Sequence, residues 1–157
     1  MERTIDHLLI KYGESHQDTT NKLIHWICVP SIMFSLFGVL MSIPFFVEKT
    51  IYYNWAAVVL LLALGYYLTL SISMFIGFII VGGLMLFGNY AILSWVNGSD
   101  WHLFLVSIAI FTVAWIGQFI GHGIEGKKPS FFDDIKFLLI GPAWLLHFIY
   151  RKVGIPY

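Results

Sequence analysis

Between Lys22 and Glu48, and again between Lys49 and Asp100, the chain carries no charged residue. Roughly 20 apolar residues cross a bilayer core as a helix, so the first interval suits one span and the second suits two joined by a tight turn. These limits predict span 1 over 21–40 and spans 2 and 3 over 54–69 and 73–96, with the turn in Thr69-Leu70-Ser71-Ile72-Ser73. Asn97-Gly98-Ser99-Asp100 reads as a turn ending in an N-cap, after which span 4 runs over 101–121. Glycines 77, 82, 83 and 88 mark span 3 as a close-packing helix. The reading is all-α: a polytopic membrane helical bundle with about four transmembrane helices, forming a single domain over residues 1–157.

The segment 131–150 is of another kind. Asp133, Asp134 and Lys136 open it, Gly141-Pro142 is expected to interrupt its helix midway, and Arg151 and Lys152 close it. An interfacial or re-entrant element fits this pattern. Hydrophobic residues make up 59% of the chain and charged residues 11%, far below the roughly one quarter charged of soluble domains, so lipid is the expected solvent. With zero formal net charge and no basic run, the chain offers no surface for nucleic acid. The single cysteine, Cys28, excludes a disulfide within the chain and reads as a small buried hydrophobe. Glu2, Arg3, Asp6, Lys11, Glu14 and Asp18 leave no apolar stretch for a cleavable signal peptide at the start. Lysine and arginine gather before span 1 and after span 4, with only Lys49 on the other side. A multi-pass protein with both termini cytoplasmic is expected, in a bacterial inner membrane or the endoplasmic reticulum according to its source.

An even number of spans puts the start of span 1 and the end of span 4 on one face, and there the polar residues concentrate. Asn21 and His25 are i, i+4 on span 1, and Gln118 and His122 are i, i+4 on span 4, with Glu125 following at i+3 if the helix continues past Gly123. His16 joins His25 if the chain folds back before a helix start near Asp18 or Thr19. Glycines 117, 121 and 123 remove bulk around His122, which lets another helix or a ligand approach. Polar groups at a membrane interface carry a desolvation cost, so such a gathering points to joint function. His7, His102 and His147 read as hydrogen-bonded or snorkelling residues, and Glu125 has an alternative as an interfacial carboxylate paired with Lys127 or Lys128.

Three imidazoles with an optional carboxylate suit Fe(II), Zn(II) or Mn(II), and open positions on nitrogen and oxygen ligands suit non-haem iron and oxygen chemistry. His16, His25 and His122 are the candidate metal ligands, Glu125 a further ligand or acid–base group, and Asn21 and Gln118 the residues to orient the rings. Two other classes use the same residues differently. A bis-His haem electron carrier would use His25 and His122 as axial ligands, and a non-catalytic membrane scaffold would hold its histidines by hydrogen bonds alone.

Tyr12-x3-His16-x4-Asn21-x3-His25, the Val29-Pro30 and Ile32 that follow, Trp115-Ile-Gly-Gln-Phe-Ile-Gly-His122-Gly, Glu125 and Lys128-Pro129 together resemble the membrane 2-hydroxy fatty acid dioxygenase family, which includes a fungal endoplasmic-reticulum enzyme and bacterial relatives. The resemblance spans about residues 10–145. It implies an Fe(II)-dependent dioxygenase of fatty acid α-oxidation that uses O2 as co-substrate to remove one carbon from a 2-hydroxy fatty acid. The family's essential histidines fall on His16, His25 and His122, and the acyl chain would lie among the apolar spans. Lys127, Lys128 or Arg151 would then steer the substrate carboxylate at the interface.

Overall fold

The computed structural model describes residues 3–14, 16–126 and 138–157. Its helices, in chain order, are α1 (Thr4–Gly13), α2 (Thr19–Ser42), α3 (Trp55–Leu70), α4 (Ile72–Trp95), α5 (Asp100–Ile124) and α6 (Ile140–Val153), and no strand occurs among the described residues.

Local chemistry sets the boundaries. Asp18 accepts hydrogen bonds from the backbone N–H groups of Thr20 at 2.7 Å and Asn21 at 3.0 Å, satisfying donors that the first turn of α2 leaves without partners. Asn54 caps α3 through the N–H of Ala57. Ser71 ends α3 and caps α4, so a single extended residue makes the hairpin. Between α4 and α5 the chain reverses through Asn97 and Gly98, both left-handed, with φ of 56° and 72°.

Helix directions follow from the contacts. Asn21 meets Gly121, Cys28 meets Gly117 and Gly38 meets Ser107, so α2 and α5 are antiparallel and touch along most of their length. Leu60 packs on Gly82, and Tyr67 stacks on Phe78 with centroids 3.8 Å apart, making α3 and α4 an antiparallel pair. Midway through the bundle the Asn89 amide donates to the carbonyl of Phe34 at 3.0 Å, tying α4 to α2 as polar groups do between membrane helices. The start of α4 packs at Gly77 against Leu146 and Tyr150 of α6. Across the opposite end, Lys49 pairs with Asp100 at 2.6 Å and fastens the α2–α3 connection to α5.

Among the described residues three helices, α2, α4 and α5, are long and apolar enough to cross a membrane. The expected fourth, α3, is apolar but has 16 residues, about 24 Å of helix against a core of about 30 Å. Outward-facing Leu61, Leu62, Leu84 and Val113 are largely exposed, an exterior suited to lipid.

The N-terminal segment, for which no element was expected, is helical: Ile5, Leu9 and Tyr12 recur at helical spacing and bury one face of α1 against α6. Two expectations need correction. Pro142 does not break a helix midway, because α6 starts at Ile140 and Pro142 sits in its first turn, where no N–H has an intrahelical acceptor. Gly83 faces open space, whereas Gly77, Gly82 and Gly88 each receive a neighbouring side chain. Of the segment expected over 131–150, residues 131–137 lie outside the described residues.

Candidate metal centre

The chain leaves α1 at Gly13 and re-enters helix after Asp18, and this reversal folds His16 back onto His25 one turn into α2. His122 arrives from the last turns of α5. Gly117 and Gly121 make that approach close, since a Cβ on either would collide with Cys28 or Asn21. The centroids of His25 and His122 are 5.1 Å apart, those of His16 and His122 5.4 Å, and those of His16 and His25 4.2 Å. All three side chains are buried, with relative exposures of 2%, 1% and 5% for His16, His25 and His122.

Hydrogen bonding fixes which nitrogens point inward. His16 Nδ1 donates to the carbonyl of Tyr12 at 2.8 Å and His25 Nδ1 to the carbonyl of Asn21 at 2.9 Å. A carbonyl only accepts, so each Nδ1 carries the hydrogen and each neutral ring leaves Nε2 as a bare acceptor. Those two Nε2 atoms face each other at 2.8 Å. Two lone pairs so close repel unless a proton or a metal ion lies between them. Cis ligands held about 2.1 Å from one ion sit about 3 Å apart, close to the spacing found, and one ligand nitrogen from each of the three rings lies within 4.8 Å of the others. A shared proton needs two acceptors and gives no reason for the third. The donor set therefore fits a metal ion bound by three imidazoles.

Glu125 is the C-cap of α5. Its carboxylate accepts from the N–H of Gln17 at 2.7 Å, the N–H of Asp18 at 2.9 Å and the amide of Asn21 at 2.9 Å. Burial pushes its pKa up, but these three hydrogen bonds, aided by the nearby His16, outweigh it and hold the carboxyl below its usual value. Glu125 thus clasps the reversal that carries His16 to the end of α5, and its oxygens are directed at these N–H groups. Asn21 contributes its backbone carbonyl to His25, while its side chain serves the clasp. The rings of His16 and His25 are oriented by main-chain carbonyls, a task the sequence reading gave to the side chains of Asn21 and Gln118. Gln118 lies one turn before His122, and its carbonyl oxygen is buried without a hydrogen-bond partner among the described residues.

His7 is exposed on α1, His102 bonds Ser99 at the far end of α5, and His147 lies on α6 against Phe148 and Tyr157. None of the three joins the cluster. Arg151 is exposed and lines an open depression of about 540 Å³ of mixed character, shared by Asp6, Glu14, Lys22 and His16 with Leu9, Trp144 and Phe148. Lys127 and Lys128 lie outside the described residues.

Two aromatic walls flank His16, and the sequence reading gave neither a role. Tyr12 stacks on His16 with centroids 4.3 Å apart, and Trp144 of α6 stands 5.4 Å from the same ring. The spacing Tyr12-x3-His16 was a visible signal for the first, whereas Trp144 is brought in by tertiary packing alone.

The fold and site define an all-α protein with helices suited to a membrane and a buried three-histidine cluster at one end. The chain belongs to the family described as 2-hydroxy-palmitic acid dioxygenase Mpo1-like, whose model matches residues 3–153. Among curated proteins it is similar to the 2-hydroxy-palmitic acid dioxygenase MPO1 of Saccharomyces cerevisiae, with 28% identity over 145 residues, covering 91% of this chain and 78% of the yeast protein. No solved structure matches it.

Proposed function

We propose that the chain is an Fe(II)-dependent dioxygenase that removes one carbon from 2-hydroxy fatty acids by α-oxidation, with His16, His25 and His122 as the metal ligands. The observation that carries the reading is the facing pair of bare Nε2 atoms, with His122 beside them. Family membership and the yeast relative's name support the substrate class. Bound by these imidazoles, Fe(II) would supply the redox and Lewis-acid chemistry that lets O2 react with a chelating 2-hydroxy acid. The chain's own contribution is preorganisation. The carbonyls of Tyr12 and Asn21 hold two rings in one tautomer, and the Glu125 clasp ties the His16 turn to α5. Tyr12 and Trp144 shield His16 from bulk water. Arg151, with Lys127 and Lys128, attracts the substrate carboxylate from the aqueous face.

In the membrane, α3 and the 43–54 connection together make a fourth crossing, leaving both termini on the cytoplasmic, metal-bearing side. Elemental analysis of protein purified without added metal, with turnover of 2-hydroxyhexadecanoate, tests the proposal. About one iron per chain is expected, together with loss of both metal and turnover in His25→Ala and His122→Ala. Full metal content and full turnover in both variants, or a Soret band from bound haem, would overturn it.

A further inference from the structure

An apolar cavity of about 340 Å³ runs between α2 and α3, bounded at one end by α5 and the start of α6. Its metal-ward end is set by spacing: Tyr12 lies four residues before His16, Val29 four after His25 and Gln118 four before His122, and all three line it. Each is thus one helical turn or its equivalent from a candidate ligand. From there the cavity follows α2 to Leu40, about 16 Å beyond Val29, with Leu60 and Ala63 on the facing side of α3. The side chains along this length, the Met33 thioether included, are apolar. At the head end stands Gln118, 8% exposed, whose buried amide oxygen has no hydrogen-bond partner among the described residues. A buried acceptor left unsatisfied beside an apolar cavity is costly unless a ligand supplies the donor.

We propose that this cavity holds the hydrocarbon chain of the substrate, methyl end toward Leu40 and Val59, with Gln118 accepting a hydrogen bond from the 2-hydroxyl group, so that the small side chain of Ala63 lets a long chain pass and Gln118 reads the hydroxyl. The inference rests on the dioxygenase reading. An apolar space that begins one turn from three imidazoles and has a buried, unsatisfied acceptor beside its head end matches an acyl chain bearing a hydroxyl near its head.

Three measurements test it on the full-length protein in lipid nanodiscs. Ala63→Phe fills the cavity midway; kcat/KM for 2-hydroxyhexadecanoate should fall roughly tenfold or more, while that for 2-hydroxyoctanoate stays about unchanged, because only the longer chain loses its buried methylenes. Retained short-chain turnover also shows that the variant folds. In metal-free protein, Gln118→Leu should erase the preference for 2-hydroxyhexadecanoate over hexadecanoate in competition binding. A 2-hydroxyhexadecanoate carrying a diazirine at its ω end should label the stretches around Leu40 and Val59. An unaltered chain-length profile in Ala63→Phe, or labelling confined to the outward faces of α4 and α5, overturns the cavity assignment and leaves the dioxygenase reading intact. Labelling at Leu40 and Val59 by a wild-type protein that turns over no 2-hydroxy acid supports the cavity and overturns the dioxygenase reading instead.

Discussion

Replacing Glu125 by Gln separates a positioning role from direct ligation. The carboxylate accepts three hydrogen bonds, two from the backbone of the reversal at Gln17 and Asp18 and one from Asn21. An amide keeps one acceptor oxygen and turns an NH2 group toward a donor, so at least one bond is lost and the others lose their charge assistance. Hydrogen bonds to charged groups contribute about 1.5–3 kcal/mol each when buried, but Glu125 is partly exposed and water replaces much of what is lost. A net cost of about 1–2 kcal/mol is expected, borne by the turn that carries His16. Residues that hold metal ligands in place typically affect affinity by about 10- to 100-fold. Glu125→Gln should therefore weaken Fe(II) or Zn(II) binding within that range, measured by competition with a chelator of known affinity, while His122→Ala abolishes it. Wild-type affinity in Glu125→Gln would refute the clasp, and complete loss would mean that the carboxylate is itself a ligand.

Gly121→Ala should destabilise the protein by about 1–3 kcal/mol, because the new methyl meets Asn21; Gly123→Ala, which meets nothing, should be neutral or stabilising by up to about 1 kcal/mol, both read by denaturation in detergent. Saturating metal at about 100 times its Kd should add about 2.7 kcal/mol of stability, seen as a rise in Tm that a chelator reverses and that is absent in His25→Ala. His102→Ala and His147→Ala should leave metal content unchanged by elemental analysis, since neither ring reaches the cluster. Tyr67→Phe should cost about 1 kcal/mol in thermal unfolding, because the hydroxyl donates to the Leu139 carbonyl at 2.6 Å and the ring keeps its stack on Phe78.

What could be read from the chain follows from how strongly each local rule constrains it. The uncharged intervals announced the helices of the bundle, with boundaries within a few residues, because hydrocarbon admits few alternatives to helix. Asp18 as an N-cap is visible from its own chemistry, and with it the reversal that returns His16 to His25. The extent of α3 was legible too, expected over 54–69 and observed over Trp55–Leu70; what its 16 residues leave open is whether that helix alone spans a membrane core of about 30 Å. Pro142 misled for a positional reason: proline breaks a helix interior but suits a first turn, and only the observed start at Ile140 distinguishes the two.

The sequence by itself determined the apolar character of the helices, the helical class and the set of histidines that can meet, because composition and spacing act within one or two turns of chain. Only the tertiary structure decided how they meet. The 2.8 Å contact of two bare Nε2 atoms, the Glu125 clasp over residues distant in the chain, Trp144 against His16 and the cavity ending at Gln118 all depend on how closely α2 packs on α5 and where α1 and α6 close the end. Those separations are set by side chains from several helices at once, and no local pattern encodes them.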